Sequence, residues 1–164
     1  GRSSAASDLY KRQLPGFRAW LERELKKPEL TLLGEPQRQL LREQLPKEWQ
    51  RNPALAEQMR ELLMPLCAIY LAHARRGEQP LDAVERFHLS NGARIERLNW
   101  LGDTSGKGFA QSCGMLVNYR YVLQEVEANH EAYINAHSVV TSNGFRKLLN
   151  ERRELQASAV AERS

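Results

Sequence analysis

Residues 84–101 read VERFHLSNGARIERLNWL, and the interpretation of the whole chain depends on this stretch. Its first half alternates side chains between two sides, with Val84 and His88 on the same side, as in an extended strand. Asn91-Gly92 is a strong tight-turn signal, and the residues after it are typical strand formers. The stretch therefore predicts a β-hairpin that joins Val84–Ser90 to Ala93–Leu101.

The chain before this hairpin is predicted to be helical, because apolar residues recur there at helical spacing in three segments. The first helix begins near Leu14, and the second spans Glu35–Leu45. The third begins at Asn52-Pro53, where Asn can cap and Pro fits the first helical position. Pro65 is predicted to kink that helix or split it in two, and Arg75-Arg76-Gly77 is predicted to end it.

The chain after the hairpin supplies one more strand and a last helix. Met115–Val122 is rich in strand formers, although a short apolar run also fits a helix. Ser142 can cap a closing helix that buries Phe145. The predicted fold class is α+β, with a helical N-terminal half, then strands, then a closing helix. Residues 1–13 have no periodic apolar face, so we expect a flexible head, and residues 157–164 are expected to fray.

The composition argues against several classes of protein. The 164 residues carry a formal net charge of +4, and 41% of them are hydrophobic. The basic excess is spread over both halves of the chain, which argues against a nucleic-acid binder. No apolar run is long enough to span a membrane, and two cysteines are too few for a disulfide framework or a zinc site. We expect a cytoplasmic protein without membrane attachment, metal or cofactor.

Few side chains stand out as candidates for chemistry. His88 is predicted to lie at the end of a strand, where a rigid side chain can serve a site, whereas His73, His130 and His137 fit ordinary surface positions. The loop Gly102–Gly108 could cradle a phosphate, but the simpler interpretation is a capped loop that leads into a short helix. Cys113 fits a small buried apolar residue. From these residues alone, no reaction can be assigned.

Several longer segments together resemble the C-terminal part of malonyl-CoA decarboxylase, over roughly residues 14–121. The resemblance rests on combinations of uncommon residues in matching order, namely LCAIYL at 66–71, PLDAVERFHLSNGA at 80–93, LNWLGDTS at 98–105, QSCG at 111–114 and VNYRY at 117–121. It implies an acetyltransferase-like α+β catalytic domain. It also implies conversion of malonyl-CoA, the expected substrate, to acetyl-CoA and carbon dioxide without any cofactor.

The resemblance also implies roles for individual residues. The family's catalytic His lies in a Phe-His-Leu-x-Asn-Gly motif, which places it at His88, and the Asn-Tyr-x-Tyr segment makes Tyr121 the tyrosine that lines the site. Within the matched segments, Asn99 and Ser105 are candidate substrate-binding residues. An imidazole suits this reaction because the enolate left by decarboxylation needs a hydrogen-bond donor or a proton source.

One segment departs from the family pattern. The family's catalytic Ser lies in a Ser-Pro-Ile-Pro-Gly-Phe segment, of which Leu14–Phe17 keeps the end, while Arg12 stands where the Ser belongs. We therefore expect residues 14–156 to be an incomplete C-terminal fragment that lacks the Ser and the CoA-phosphate loop. The alternative is a non-catalytic interaction or acyl-CoA-binding piece. Expected partners are further copies of the chain or the missing N-terminal portion.

Overall fold

The computed structural model describes residues 7–28 and 32–151, and it confirms the α+β class. A three-stranded antiparallel sheet lies among helices, and a two-stranded ribbon lies beside it. The elements in chain order are β1 (Ser7–Gln13), α1 (Phe17–Lys26), α2 (Glu35–Gln44), a 3-10 turn (Trp49–Arg51), α3 (Pro53–His73), β2 (Arg75–Arg76), β3 (Gln79–Pro80), α4 (Ala83–Ser90), β4 (Arg94–Asn99), α5 (Gly106–Ser112), β5 (Leu116–Val122), α6 (Val126–Ala136) and α7, which begins at residue 143.

Helix α3 runs through the core. Asn52 caps it as predicted, since its side chain accepts a hydrogen bond from the backbone N–H of Leu55. Pro65 lies inside a helix that continues from Pro53 to His73, so the prediction of a split is wrong. Nearly every residue of the second half is buried, and this packing outweighs the roughly 3 kcal/mol that an interior proline costs.

The end of α3 also differs from the prediction. The helix ends at His73, and Arg75-Arg76 pair with Gln79-Pro80 as a small ribbon. Gly77 lies in the turn of this ribbon with a φ of 65°, a conformation that glycine adopts without strain. The glycine therefore marks a turn in the chain, but this turn lies three residues past the helix cap at Ala74.

The predicted hairpin is wrong, because Val84–Ser90 belongs to helix α4. The Asp82 side chain accepts a hydrogen bond from the N–H of Glu85 at 2.8 Å and so caps this helix. Its buried residues are Glu85, His88 and Leu89, spaced as on one helical face. The spacing of apolar residues in this stretch fits a strand as well as a helix. The hydrogen bond of the Asp82 cap favours the helix. Gly92, with a φ of 93°, ends the turn after the helix and lies against the backbone of Val126.

The sheet has the order β1-β5-β4, with both pairs antiparallel. Strand β4 (Arg94–Asn99) and strand β5 (Leu116–Val122) confirm the other two predicted strands. The expected flexible head is wrong for Ser7–Gln13, which pair along the full length of β5 as an edge strand. Residues 1–6 lie outside the described part of the chain.

The closing helix is confirmed at its start. The Ser142 hydroxyl accepts a hydrogen bond from the N–H of Phe145, and Phe145 is buried. Ile95 of β4 bridges to Thr141 just before this helix, which covers that edge of the sheet. The tail over 157–164 lies outside the described residues. Within 7–28 and 32–151, no helix is both long enough and apolar enough to cross a membrane.

Candidate functional site

His88 lies in the last turn of α4, against the sheet. Its ring stacks on the ring of Tyr119, with centroids 4.4 Å apart and planes inclined by 15°. Tyr119 itself is completely buried in strand β5. His88 is only 2% exposed, so a helix and a strand together hold the imidazole rigidly, as the sequence analysis expected for a site residue, although in a different element.

Both ring nitrogens of His88 have hydrogen-bond partners. Nδ1 lies 2.7 Å from the hydroxyl of Tyr121, and Nε2 accepts a hydrogen bond of 3.1 Å from Nε of Arg12. Tyr121 is two residues from Tyr119 on β5, so both tyrosines project from the same face of the sheet. The structure thus brings together the two predicted catalytic residues, His88 and Tyr121.

Arg12 reaches this site from strand β1. Tyr10 and Arg12 pair with Tyr119 and Val117 of β5, so their side chains share the His88 face. The Tyr10 ring lies 5.9 Å from the His88 ring, centroid to centroid, and is inclined to it by 35°. Arg12, which the resemblance aligns with the Ser of the family pattern, therefore contacts His88 although the two residues are 76 positions apart in the sequence.

The surroundings keep His88 neutral. Burial of the ring, and secondarily the positive charge of Arg12, lower the pKa of His88 to about 4. Burial, and then the neighbouring Tyr10, raise the pKa of the Tyr121 hydroxyl. At neutral pH the site therefore holds an uncharged imidazole and an uncharged phenol beside an exposed guanidinium.

A second cluster of polar side chains, which the sequence did not predict, lies at the start of α4. Tyr70 donates a hydrogen bond to Asp82 over 3.1 Å, and Glu85 is fully buried with neither carboxylate oxygen hydrogen-bonded within the described residues. Burial, and then the charge of Asp82, raise the pKa of Glu85 well above its usual value. The signal that could have found this group is Asp82-x-x-Glu85, which has the spacing of a helix cap.

The two candidate substrate-binding residues lie away from His88. Asn99 donates a hydrogen bond to Asn118 at 2.7 Å, on the sheet face opposite Tyr121. Ser105 caps α5 by accepting from the N–H of Gly108, which confirms the capped-loop interpretation of Gly102–Gly108. The structure does not bring these two residues to the His88–Tyr121 pair, and their role in binding stays a prediction.

Two open clefts lie near the residues discussed above, and neither is lined by His88 or Tyr121. One, of about 410 Å³, is lined by Lys11, Arg12, Gln13, Gly102, Asp103 and Leu116. The other, of about 400 Å³, lies between Arg18, Trp49 and Phe109, beside the buried Cys113. In the described part of the chain, no three His, Cys, Asp or Glu side chains are grouped closely enough to hold a metal ion.

Comparisons with known proteins agree on a single family. The family model "Malonyl-CoA decarboxylase C-terminal domain" matches residues 11–159. The chain is 37% identical over 147 residues to the mitochondrial malonyl-CoA decarboxylase of the goose Anser anser anser, covering 79% of this chain and 29% of that protein. The rat mitochondrial enzyme is 34% identical over 154 residues, with 83% and 31% covered.

Solved structures give the same result. The crystal structure of malonyl-CoA decarboxylase from Rhodopseudomonas palustris has a TM-score of 0.83 and 40% identity, over 87% of this chain and 33% of that one. That of the Agrobacterium vitis enzyme has a TM-score of 0.80 and 35% identity, over 87% and 35%. The chain spans about a third of the length of these relatives. The family-model match over most of the chain, together with the sequence and structural similarity to these relatives, shows that it belongs to the malonyl-CoA decarboxylase family.

Proposed function

We propose that this chain carries part of a site that decarboxylates malonyl-CoA to acetyl-CoA and carbon dioxide. In that reaction the bond between the carboxylate carbon and C2 of the malonyl group breaks, and carbon dioxide leaves. The electron pair moves onto the thioester carbonyl as an enolate, and C2 then takes up a proton. A fixed hydrogen-bond donor at the enolate oxygen lowers the barrier, because negative charge develops there in the transition state.

The observation that carries this proposal is the 2.7 Å hydrogen bond between His88 and Tyr121. The pair is rigid, because His88 stacks on buried Tyr119 and lies almost entirely out of solvent. It is also uncharged at neutral pH, so it can donate to an enolate oxygen without first losing a strong interaction with water. Tyr121 is more exposed than His88.

A second candidate function is acyl-CoA binding without turnover, and Arg12 favours it. A guanidinium in place of the family's Ser can pair with the malonyl carboxylate. Such a pair stabilises the substrate more than the transition state, because the carboxylate charge leaves that position as the bond breaks. On this account Arg12 strengthens binding of the substrate and slows its decarboxylation.

A single-turnover assay with the chain in excess over malonyl-CoA distinguishes the two functions, with acetyl-CoA measured by chromatography. We expect Arg12→Ser to form acetyl-CoA faster than the unaltered chain. Adding His88→Asn to Arg12→Ser should lower that rate roughly 10²- to 10⁴-fold, the usual contribution of an acid or oxyanion donor. Lys11→Ser is the matched control, since Lys11 is the neighbouring cation on the opposite sheet face.

The outcomes separate clearly. Equal rates for Arg12→Ser with and without His88→Asn would contradict the decarboxylase proposal. Saturable binding of malonyl-CoA to Arg12→Ser without any acetyl-CoA would instead support the second function. A rate increase in Lys11→Ser equal to that in Arg12→Ser would show that loss of positive charge, not position 12, is responsible.

Three further expectations remain proposals. The domain bounds of 14–156 stay a proposal, and strand β1, which precedes them, pairs with β5. Association with further copies or with another polypeptide fits the open edge of β1, which carries the exposed Leu9 and Tyr10. We continue to propose a cytoplasmic location, although the goose and rat relatives are named as mitochondrial.

A further inference from the structure

The hydrogen bond from Arg12 restricts where His88 can carry its proton. An arginine N–H can only donate, so the Nε2 atom that it contacts must present a lone pair. A charged imidazolium has a proton on both nitrogens and could not accept this bond. His88 bonded to Arg12 is therefore neutral, with its proton on Nδ1.

This tautomer sets the direction of the next hydrogen bond. Nδ1 then donates to the Tyr121 oxygen, across the 2.7 Å that separates them. The O–H of Tyr121 is left to donate elsewhere, and no described residue accepts from it. The Tyr121 ring is partly exposed, whereas His88 is 2% exposed, stacks on the Tyr119 ring and has the Tyr10 ring 5.9 Å away.

We propose that Arg12 is a positioning residue that holds His88 as its neutral Nδ1-protonated tautomer and thereby makes the Tyr121 hydroxyl the donor that this site offers to a ligand. The ligand atom follows from the proposed function and is the thioester carbonyl oxygen of an acyl-CoA. The arrangement of Arg12, His88 and Tyr121 does not depend on that function.

The neighbours of His88 are compatible with this arrangement. The titratable groups around the ring are Tyr10 and Arg12 on β1, Tyr119 and Tyr121 on β5, and Glu85 one turn earlier on α4. Burial raises the pKa of Glu85, Tyr119 and Tyr121, so it favours the uncharged form of each. Among these neighbours, Arg12 is the residue whose positive charge lowers the pKa of His88.

Nitrogen NMR of the imidazole tests the first half of the proposal, because the ¹⁵N shifts distinguish a protonated from a bare ring nitrogen. We expect the unaltered chain to show a protonated Nδ1 and a bare Nε2 from pH 8 down to pH 5. Arg12→Met removes the donor but keeps the length of the side chain. In this variant the midpoint of His88 protonation should rise, and Nε2 should carry a proton at a higher pH.

Lys11→Met is the control, because it removes one positive charge on the opposite face of the same strand. Its His88 spectrum should match that of the unaltered chain. A proton on Nε2 in the unaltered chain at neutral pH would overturn the proposal. Equal upward shifts of the midpoint in Arg12→Met and Lys11→Met would also overturn it, because net charge alone would then explain them.

Binding of malonyl-CoA tests the second half. Tyr121→Phe removes only the hydroxyl and should weaken binding roughly 2- to 10-fold, the contribution of one hydrogen bond. Unchanged affinity would overturn the role of Tyr121 as the donor. If the tautomer and the affinity loss both hold but no variant forms acetyl-CoA, this inference stands and the decarboxylase proposal fails.

Discussion

Each end of helix α4 carries a buried ionisable side chain, but the two side chains differ in their hydrogen bonding. At its last turn, His88 has a partner for each ring nitrogen and connects through Tyr121 to the surface. At its first turn, Asp82 has partners in Tyr70 and the helix N–H, whereas the carboxyl of Glu85 is buried without any among the described residues. One end holds a fully paired imidazole next to a partly exposed hydroxyl, and the other holds a buried carboxyl that has no hydrogen-bond partner among the described residues.

This difference gives the two ends opposite responses to pH. The folded-state pKa of His88 is lowered, so the unfolded chain binds more protons there between about pH 4 and 6.5, and acidification destabilises the fold. The folded-state pKa of Glu85 is raised, so the folded chain binds the extra proton above the usual carboxyl range, and acidification stabilises it. The two contributions therefore have opposite signs on acidification.

The largest expected effect is on Asp82, at the first turn. Asp82→Ala removes the cap of α4 and leaves the Tyr70 hydroxyl buried without a partner. We expect the free energy of unfolding to fall by about 2 to 4 kcal/mol, measured by urea denaturation. The matched control is Asn52→Ala, which removes an exposed cap of α3 and should cost about 1 kcal/mol. Equal losses would mean that the Asp82–Tyr70 bond contributes nothing.

Glu85 should respond in the opposite direction. Glu85→Leu replaces a buried, unpaired carboxyl by an apolar side chain of similar volume. Stability at pH 7 should rise by about 1 to 3 kcal/mol, again by urea denaturation. Glu85→Gln keeps an unpaired polar group in the same place and should gain much less. A loss of stability in Glu85→Leu would indicate that the carboxyl has a partner after all.

Removing either ionisable group should expose the pH response of the other. Between pH 6.5 and 5, Glu85→Leu should lose about 1 to 2 kcal/mol, the contribution of a His whose pKa falls to about 4 on folding, and the unaltered chain should lose less because Glu85 opposes this change. His88→Gln should instead gain stability on acidification relative to the unaltered chain. Chemical denaturation at both pH values checks this pair, and parallel changes in both variants would contradict the opposite signs.

The smallest effect on stability is expected at Arg12. Its side chain is exposed, so Arg12→Met should change the free energy of unfolding by less than about 0.5 kcal/mol. Lys11→Met should behave alike. A loss of several kcal/mol in Arg12→Met alone would make Arg12 a structural residue, and its effect on His88 would then follow from a disturbed sheet.

Much of the fold could be predicted from local sequence. The helices α1, α2 and α3 have regular apolar spacing and clear proline or asparagine starts, and β4 and β5 are rich in strand formers. Helix α4 was missed because an eight-residue amphipathic stretch fits both periods, and only the bond between Asp82 and the N–H of Glu85 separates them. Strand β1 was missed because its side chains are mostly exposed and its partner lies more than 100 residues away in the chain.

In the candidate site, too, some features could be predicted from the sequence and others could not. The resemblance pointed to His88 and Tyr121 as residue types in motifs, and the structure brings them into contact. The Arg12–His88 bond joins residues 76 positions apart, so no local pattern could indicate it. The lack of a hydrogen-bond partner for the Glu85 carboxyl among the described residues is likewise a result of packing, because Tyr70 on α3 and Tyr119 on β5 lie near it.

The most direct test of the account is a titration of the chain with malonyl-CoA, followed by NMR of the aromatic rings. If the His88–Tyr121 pair receives the thioester, the ring signals of His88 and Tyr121 will shift together and saturate at one affinity. The signals of Trp49 and Phe109, which line the second cleft, will stay in place. Shifts confined to Trp49 and Phe109, with His88 and Tyr121 unchanged, would contradict the assignment of the site.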